Sequence, residues 1–292
     1  MKPRVAGAPI SWGVCEVPDW GYQMEAERVL GEAAGLGLTA VEAGPDGFLP
    51  QEPEEAARLL SGHGLELVGG FVPVVLHKKE TRTSELASVD RQARLFAAAG
   101  AGVLVLAAAT GEEGYEAAAG LDDGEWDELF ATLAMVEEIG ARHGLNVVLH
   151  PHYGTEIEGP EQVQRFLEGC ETGLCLDTGH CMVGGGDPVA LTESAASRIQ
   201  HVHLKDVDKN LAERVVSGVL AYEWAVGDGL FRPLGEGDVD VGRVLGILDG
   251  AGYDGWYVLE QDLMLDGKPG DGPAREVGKS LAFVTEILEL QR

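Results

Sequence analysis

Short apolar runs recur along the chain, and amphipathic segments separate them. We count eight such runs, rich in Val, Leu and Ala: VAGAPI (5–10), TAVEAG (39–44), ELVGGFVPV (66–74), VLVLAAA (103–109), NVVLHPH (146–152), GLCLDTGH (173–180), IQHVHLKD (199–206) and WYVLEQD (256–262). Several lack polar alternation, which is typical of strands buried on both faces of a parallel sheet. Eight strands alternating with helices predict an α/β fold, a single-domain (β/α)8 TIM barrel over residues 1–292.

The segments between the runs have helical periodicity. One apolar stripe at helical spacing consists of Trp126, Leu129, Phe130, Leu133, Val136 and Ile139. One connection is longer than a barrel needs, because residues 207–238 combine an apolar helical piece with the glycine-rich stretch GDGLFRPLGEG. We expect this insertion, between the seventh strand and its helix, to form a lid over the catalytic face.

Charge limits the classes of partner. The chain has 49 acidic and 21 basic residues, a formal net charge of −28. Such a field repels phosphate backbones and anionic membrane surfaces, so we expect neither nucleic acid nor membrane as a partner. Four cysteines without a CxxC pair fit a reducing cytoplasm. The expected partner is a small molecule, and the oligomeric state stays open, a homo-oligomer included.

Strands five to eight end in side chains that can bind a metal or transfer a proton. These residues are His150 and His152, Asp177 and His180, His201, His203, Lys205 and Asp206, and Glu260 and Asp262. The active sites of (β/α)8 barrels are built at the C-terminal ends of the strands. A single histidine at a strand end is usually a core or capping residue, but four neighbouring strands that end in this way indicate one shared site.

Strand alternation narrows these candidates, and we predict one metal ligand from each of the four strands. In HVHLKD, positions 201, 203 and 205 share one face of the strand. The predicted ligands are His150, Asp177, His203 and Glu260. Imidazole and carboxylate ligands without cysteine suit Mn²⁺, Co²⁺ or Zn²⁺ and argue against a closed structural zinc site. His180 is then expected to support the ligands or to bind substrate.

Other strand ends are candidates for a substrate pocket. Trp12 follows the first strand, Glu42 lies in the second, and Asp206 ends the seventh. We predict that these three and His180 bind substrate, although barrels also pack aromatic and polar residues such as Trp12 and Glu42 in their upper layers. The charged stretch HKKE (77–80), after the third strand, is expected to be a solvated loop.

Six stretches of the sequence resemble the xylose isomerase-like barrel superfamily of sugar isomerases, epimerases and dehydratases. They are APISWG, HPHYGTEIE, CLDTGHCMVGGGDP, HVHLKDV, PLGEGDVD and GYDGWYVLEQD, and they run along most of the chain. LDTGH with HVHLKD is specific to the superfamily, and HPHYGT is similar, within it, to the inosose dehydratase family. The resemblance implies a metal-dependent hydro-lyase of inositol catabolism that removes water from a keto-polyol such as 2-keto-myo-inositol, with Mn²⁺ or Co²⁺ as the ion.

The residue at position 150 bears on which reaction of this superfamily is catalysed. Its isomerases and epimerases typically end strand five in a glutamate that binds metal and acts as a base opposite a second glutamate on strand eight, whereas this chain has His150. Two carboxylates suit proton removal on one face and delivery on the other. His150 therefore favours a dehydratase, and a metal-dependent sugar isomerase or epimerase is the alternative. A non-catalytic carbohydrate-binding barrel is a further one, while the charge disfavours a DNA-repair endonuclease on this barrel.

Dehydration beside a ketone begins with loss of the α-proton, and a divalent cation at the carbonyl oxygen stabilises the charge that develops. The candidate catalytic residues are His152, Lys205 and Glu260. We favour His152 or Lys205 for proton transfer and Glu260 mainly as a ligand, with the assignment of base and acid left open. A cation beside Lys205 is expected to lower the pKa of its ammonium group. Few arginines stand at the strand ends, which favours an unphosphorylated polyol over a sugar phosphate.

Overall fold

The structure is a computed structural model that describes residues 4–17, 19–112, 114–115 and 120–290. At its centre, parallel strands at eight positions form a barrel. The strands are Val5–Gly7 (β1), Ala40–Val41 (β2), Glu66–Leu67 (β3), Gly69–Val74 (β4), Val103–Ala108 (β5), Asn146–Leu149 (β6), Gly173–Asp177 (β7), Ile199–Leu204 (β8) and Tyr257–Leu259 (β11), with β9 and β10 in the insertion. Each of the eight predicted apolar runs forms one strand position of the barrel. The third run is divided into two short strands, β3 and β4, which share that position. The predicted (β/α)8 barrel is confirmed.

The barrel closes between β3 and β4. The strands pair in parallel in the order β3-β2-β1-β11-β8-β7-β6-β5-β4, so two strands that are consecutive in the chain lie at the two ends of the order. Val68 joins them, because its N–H donates to the carbonyl of Val41 at 2.9 Å and its own carbonyl accepts from the N–H of Gly102 at 3.0 Å. The C-terminal ends of all the strands therefore meet at one mouth.

Helices cover the outside of the barrel. Apart from the insertion they are Ala26–Gly35 (α1), Pro53–Gly62 (α2), Arg82–Ala98 (α3), Asp123–His143 (α4), Pro160–Gly169 (α5), Thr178–Val183 (α6), Pro188–Ala195 (α7), Val241–Gly250 (α10) and Gly272–Leu290 (α11), with α8 and α9 in the insertion. Helix α4 begins with a capping box between Asp122 and Glu125 and buries most of the predicted apolar stripe against the barrel. Within the described ranges, no helix combines the length and the apolar character that crossing a membrane requires.

The predicted insertion is a small α/β piece attached to the end of β8. Asp206–Val207 (β9) pairs antiparallel with Phe231–Arg232 (β10), and between them in the chain lie Lys209–Val216 (α8) and Tyr222–Gly227 (α9). The buried carboxylate of Asp206 accepts four backbone N–H groups, from Val207, Gly235, Gly237 and Val239, at 2.8 to 3.0 Å. These bonds fix both ends of the insertion beside the mouth of the barrel.

Candidate active site

Ionisable side chains line a pocket at the C-terminal mouth of the barrel. Those that line it include Glu16, Glu42, His150, His152, His203, Lys205, Glu260 and Asp262. They come from the loop after β1 and from the ends of β2, β6, β8 and β11. Because these strands are parallel and share one mouth, residues more than 240 positions apart, such as Glu16 and Glu260, reach the same pocket.

The four residues predicted as metal ligands lie together at this mouth. One ligand atom each from Asp177, His203 and Glu260 lies within 4.8 Å of the others. Nε2 of His150 lies 3.2 Å from Oδ2 of Asp177, and His150 forms a second such group with Cys175 and His203. All four predicted ligands are buried, with at most 9% of any of them exposed. Sites of this composition can hold a divalent ion.

His203 presents one ring nitrogen to the acidic residues and the other to Glu42. Its Nε2 lies 3.1 Å from Oε1 of Glu42, which also approaches Nε2 of His201 at 2.7 Å. Its Nδ1 has no hydrogen-bond partner and lies 3.7 Å from Oδ2 of Asp177 and 3.4 Å from Oε2 of Glu260. Glu42 therefore lies in the pocket, as its prediction as a substrate-binding residue requires, but its carboxylate is engaged by two histidines.

The ammonium group of Lys205 lies among three carboxylates. Nζ is 3.2 Å from Oδ2 of Asp177, 2.9 Å from Oε2 of Glu260 and 3.1 Å from Oδ1 of Asp262. Burial alone would lower the pKa of Lys205, but these carboxylates outweigh it and raise that pKa well above its ordinary value. The acidic surroundings therefore oppose the effect that we expected from a neighbouring cation, and they keep Lys205 protonated.

His152 is held as a neutral imidazole with one nitrogen available. Its Nδ1 lies 2.7 Å from the backbone carbonyl oxygen of Tyr153 and donates its proton there, which leaves Nε2 as a proton acceptor. Burial, with the nearby charges of His150 and Lys205, lowers the pKa of His152 well below its ordinary value. His180 packs against it, with ring centroids 3.6 Å apart. His152 therefore has the protonation state of a general base.

Two of the predicted substrate-binding residues, Trp12 and Asp206, do not line the pocket. The 3-10 turn Pro9–Trp12 directs the indole of Trp12 toward α1, where its N–H donates to Oε2 of Glu32 at 2.9 Å. Asp206 lies on the opposite side of the strand from Lys205. Both of its carboxylate oxygens accept hydrogen bonds from backbone N–H groups of the insertion. Both residues stabilise the fold around the site.

The sequence HKKE (77–80) was expected to be a solvated loop, and this expectation is wrong for its first residue, His77. His77 is only 6% exposed, and its Nε2 lies 3.8 Å from Oε1 of Glu156. Lys79 and Glu80, two and three positions later, are exposed as expected. The first residues of the loop after β4 are thus buried, while the residues that follow them are solvated.

Sequence reasoning missed the aromatic side chains that cover the histidines. Tyr222, from α9 of the insertion, is 1% exposed and donates its hydroxyl to Oδ2 of Asp262 at 2.9 Å. Its ring contacts those of Tyr115 and Tyr153, each with a centroid distance of 4.8 Å. The ring of Phe231, from β10, lies 5.6 Å from Nζ of Lys205. No spacing pattern links Tyr115, Tyr153, Tyr222 and Phe231 in the sequence, and the folded positions of their loops bring them together.

Comparisons with known proteins agree with this architecture. A family model described as xylose isomerase-like TIM barrel matches residues 30–287. An inosose dehydratase from Geobacillus kaustophilus is 31% identical over 270 residues, which cover 89% of this chain and 87% of that protein. The rhizopine catabolism protein MocC from Rhizobium meliloti is also 31% identical, over 278 residues that cover 90% of this chain and 82% of that protein.

Solved structures have the same fold at low sequence identity. The IOLI protein, whose crystal structure has a bound zinc atom, superimposes with a TM-score of 0.72 at 12% identity, over 99% of both chains. The family model covers far more than half of the sequence, and the relatives match it almost from end to end. The chain therefore belongs to the xylose isomerase-like TIM barrel family.

Proposed function

We propose that this protein is a metal-dependent dehydratase that removes water from a keto-polyol such as 2-keto-myo-inositol. The observation that carries the proposal is the unpartnered Nδ1 of buried His203, which faces Asp177 and Glu260 beside the proton-accepting His152. The similarity to inosose dehydratases along nearly the whole chain supports the same activity.

The residues present fit a divalent ion. A buried imidazole nitrogen without a hydrogen-bond partner is costly. A histidine that binds a metal usually donates its other N–H to a carboxylate or a carbonyl, and Glu42 holds His203 in this way. Asp177, His203 through Nδ1, and Glu260 would hold the ion, with His150 as the fourth ligand. Mn²⁺ or Co²⁺ is our proposed ion, and Zn²⁺ suits the same ligands. Bound there, the ion would polarise the ketone oxygen of the substrate and ease loss of the neighbouring proton by several kcal/mol.

His152 is the proposed base. In the dehydration, the carbon next to the ketone loses a proton, the hydroxyl on the following carbon leaves with a proton as water, and a carbon–carbon double bond forms. Nε2 of His152 can take the first proton because its Nδ1–H is already donated to the carbonyl of Tyr153. The low pKa of this buried imidazole keeps it unprotonated before substrate binds.

Lys205 is the proposed acid. It lines the same pocket as His152 and carries its proton on a buried ammonium group. Donation of that proton to the departing hydroxyl completes the loss of water. The proton that His152 has gained can return to Lys205 through solvent after the product leaves, so that each turnover restores both groups.

The charge of the pocket supports an uncharged substrate. Five carboxylates, from Glu16, Glu42, Asp177, Glu260 and Asp262, lie in or next to it. The single lysine there is already surrounded by three of them. A phosphate or carboxylate on the substrate would be repelled, whereas the hydroxyl groups of a polyol can donate to these oxygens.

The position of the insertion supports a role as a lid. Tyr222 and Phe231, one from each half of the insertion, pack over His180, with centroid distances of 6.4 Å and 5.8 Å. We propose that residues 207–238 exclude water from the site when substrate is bound. Movement of this piece would have to break the bond between Tyr222 and Asp262.

An activity assay on the purified protein tests the proposal. The protein is stripped with EDTA and reloaded with Mn²⁺, Co²⁺ or Zn²⁺. Incubation with 2-keto-myo-inositol is expected to give a product lighter by one water, detected by mass spectrometry, with no reaction in the stripped protein. Ketoses that can only epimerise are the comparison substrates. Epimerisation of a ketose without loss of water from any inosose would contradict the proposed reaction and favour the epimerase alternative.

A further inference from the structure

The ammonium group of Lys205 is a cation built into the metal-ligand cluster. The residue is 2% exposed, and among the lysines of the described residues it is the one that is buried. Its Nζ contacts Oδ2 of Asp177 and Oε2 of Glu260. These are the same two oxygen atoms that lie closest to the unpartnered Nδ1 of His203.

The fold fixes the path of this side chain from several directions. The hydroxyl of Thr178 accepts from the backbone N–H of Lys205 at 2.9 Å and donates to its carbonyl at 2.6 Å. Gly179 leaves the space that the lysine needs, because a Cβ at that position would lie 2.5 Å from Cβ of Lys205. The ring of Phe231 lies over the ammonium group. Residues 178 and 179 of LDTGH therefore hold Lys205 against the acidic residues.

Charge balance explains why a lysine stands there. Asp177, Glu260 and Asp262 bring three buried carboxylates together, and such a cluster is costly without a cation. A divalent ion and the ammonium group would need the same oxygens of Asp177 and Glu260. Asp262 is different, because its Oδ1 lies 3.1 Å from Nζ and Asp262 is not one of the proposed ligands.

We propose that Lys205 is the resident cation of the metal-free site, which keeps the ligand carboxylates together until a divalent ion displaces it from Asp177 and Glu260. The ammonium group then stays with Asp262, next to the substrate pocket. This inference rests on the proposed metal site, and it adds that the protein folds with its ligand set assembled before the metal binds.

Lys205→Met tests the displacement, since methionine keeps most of the side-chain volume and removes the charge. We expect EDTA-stripped Lys205→Met to bind Zn²⁺ at least about tenfold more tightly than the wild type in isothermal titration calorimetry, because no cation has to leave. The metal-free form of Lys205→Met is expected to unfold at a lower temperature than the metal-free wild type. Added Zn²⁺ is expected to raise the unfolding temperature of the variant by more than that of the wild type. Lys209→Met is the matched control, because Lys209 is exposed on α8, and it should behave as the wild type in both measurements.

A second measurement uses the wild-type side chain and does not depend on the folding of the variant. A buried ammonium group exchanges its protons slowly, so Lys205 should give a side-chain ¹H–¹⁵N signal at neutral pH that exposed lysines do not give. The signal is assigned by its absence in Lys205→Arg. One equivalent of Zn²⁺ should shift this signal. An unshifted signal with bound Zn²⁺, or equal Zn²⁺ affinity of wild type and Lys205→Met, would overturn the inference alone. A wild type that binds no divalent ion would instead contradict the proposed metal-dependent function.

Discussion

Oε1 of Glu42 lies 3.1 Å from Nε2 of His203, and this contact determines which nitrogen of the ring faces the acidic cluster. The two histidines beside Glu42 hold the pKa of its carboxyl group well below its ordinary value, although burial alone would raise it. Glu42 therefore carries a negative charge that orients His203 and increases its basicity. Among the described residues, the side chain of Glu42 has hydrogen bonds with His201 and His203 and none with Asp177 or Glu260. Glu42 therefore acts on the acidic cluster through His203.

Glu42→Gln should weaken metal binding while leaving the proposed ligands in place. The amide is neutral and can turn its NH₂ group toward the ring, so the orientation of His203 is less well defined. Loss of such a partner commonly costs about 10- to 100-fold in metal affinity. Titration of the EDTA-stripped variant with Zn²⁺ in a calorimeter measures the change.

Glu66→Gln is the control for this substitution, because Glu66 lies on the neighbouring strand β3 and is exposed. It should bind Zn²⁺ as the wild type does. Unchanged affinity in Glu42→Gln as well would show that Glu42 has no part in the metal site, and a role in substrate binding would then be the better account.

His152→Gln should remove the proposed base and leave the metal site intact. Glutamine cannot accept the α-proton at neutral pH, and loss of a general base commonly lowers kcat by about 10²- to 10⁴-fold. Turnover of 2-keto-myo-inositol and Zn²⁺ affinity are measured on the same preparation. His143→Gln, at the end of α4 beside Asp90 and outside the lining of the pocket, is the control. Full activity of His152→Gln would assign proton removal to another residue.

The sequence predicts the convergence of His150, Asp177, His203 and Glu260 for a physical reason. Parallel strands bring their C-terminal ends to one mouth, and alternation along each strand selects the side chains that point inward. The same alternation explains why Asp206, which follows Lys205 directly, does not line the pocket. A shift of one position turns a side chain to the other face of the strand, where Asp206 meets the backbone N–H groups of the insertion.

Other parts of the site could not be predicted from local pattern. Trp12 follows β1 in the expected place, but a 3-10 turn changes the direction of its side chain, and the motif APISWG does not reveal this. Tyr222 lies 40 residues before its partner Asp262 in the chain. Its contact depends on how the whole insertion folds back over the barrel, which neither periodicity nor spacing indicates.

Tyr222→Phe should loosen the insertion without disturbing the metal ligands. The substitution keeps the ring contacts with Tyr115 and Tyr153 and removes the hydroxyl that donates to Asp262. A hydrogen bond of about 1 kcal/mol corresponds to roughly a fivefold increase in KM if the closed insertion is needed to hold substrate. Limited proteolysis should also cut the insertion faster in the absence of substrate.

Trp224→Phe provides the matched control for the insertion, because Trp224 lies on the same helix, α9, and is 74% exposed. Its KM and cleavage rate should equal those of the wild type. Equal values in Tyr222→Phe as well would contradict the proposed role of the insertion as a lid.

Asp206→Asn should reduce stability, since its carboxylate joins the insertion to the barrel. Asparagine has one acceptor oxygen, and its NH₂ group would face backbone N–H donors that Asp206 now binds at 2.8 to 3.0 Å. We expect the free energy of unfolding, measured in urea, to fall by about 2–4 kcal/mol, with Zn²⁺ affinity of the folded protein unchanged. Asp228→Asn, at an exposed position of the insertion, should leave both values at those of the wild type. If Asp206→Asn instead keeps its stability and loses affinity for the polyol, the result would support the predicted substrate-binding role of Asp206 and show that its four backbone hydrogen bonds contribute little to the fold.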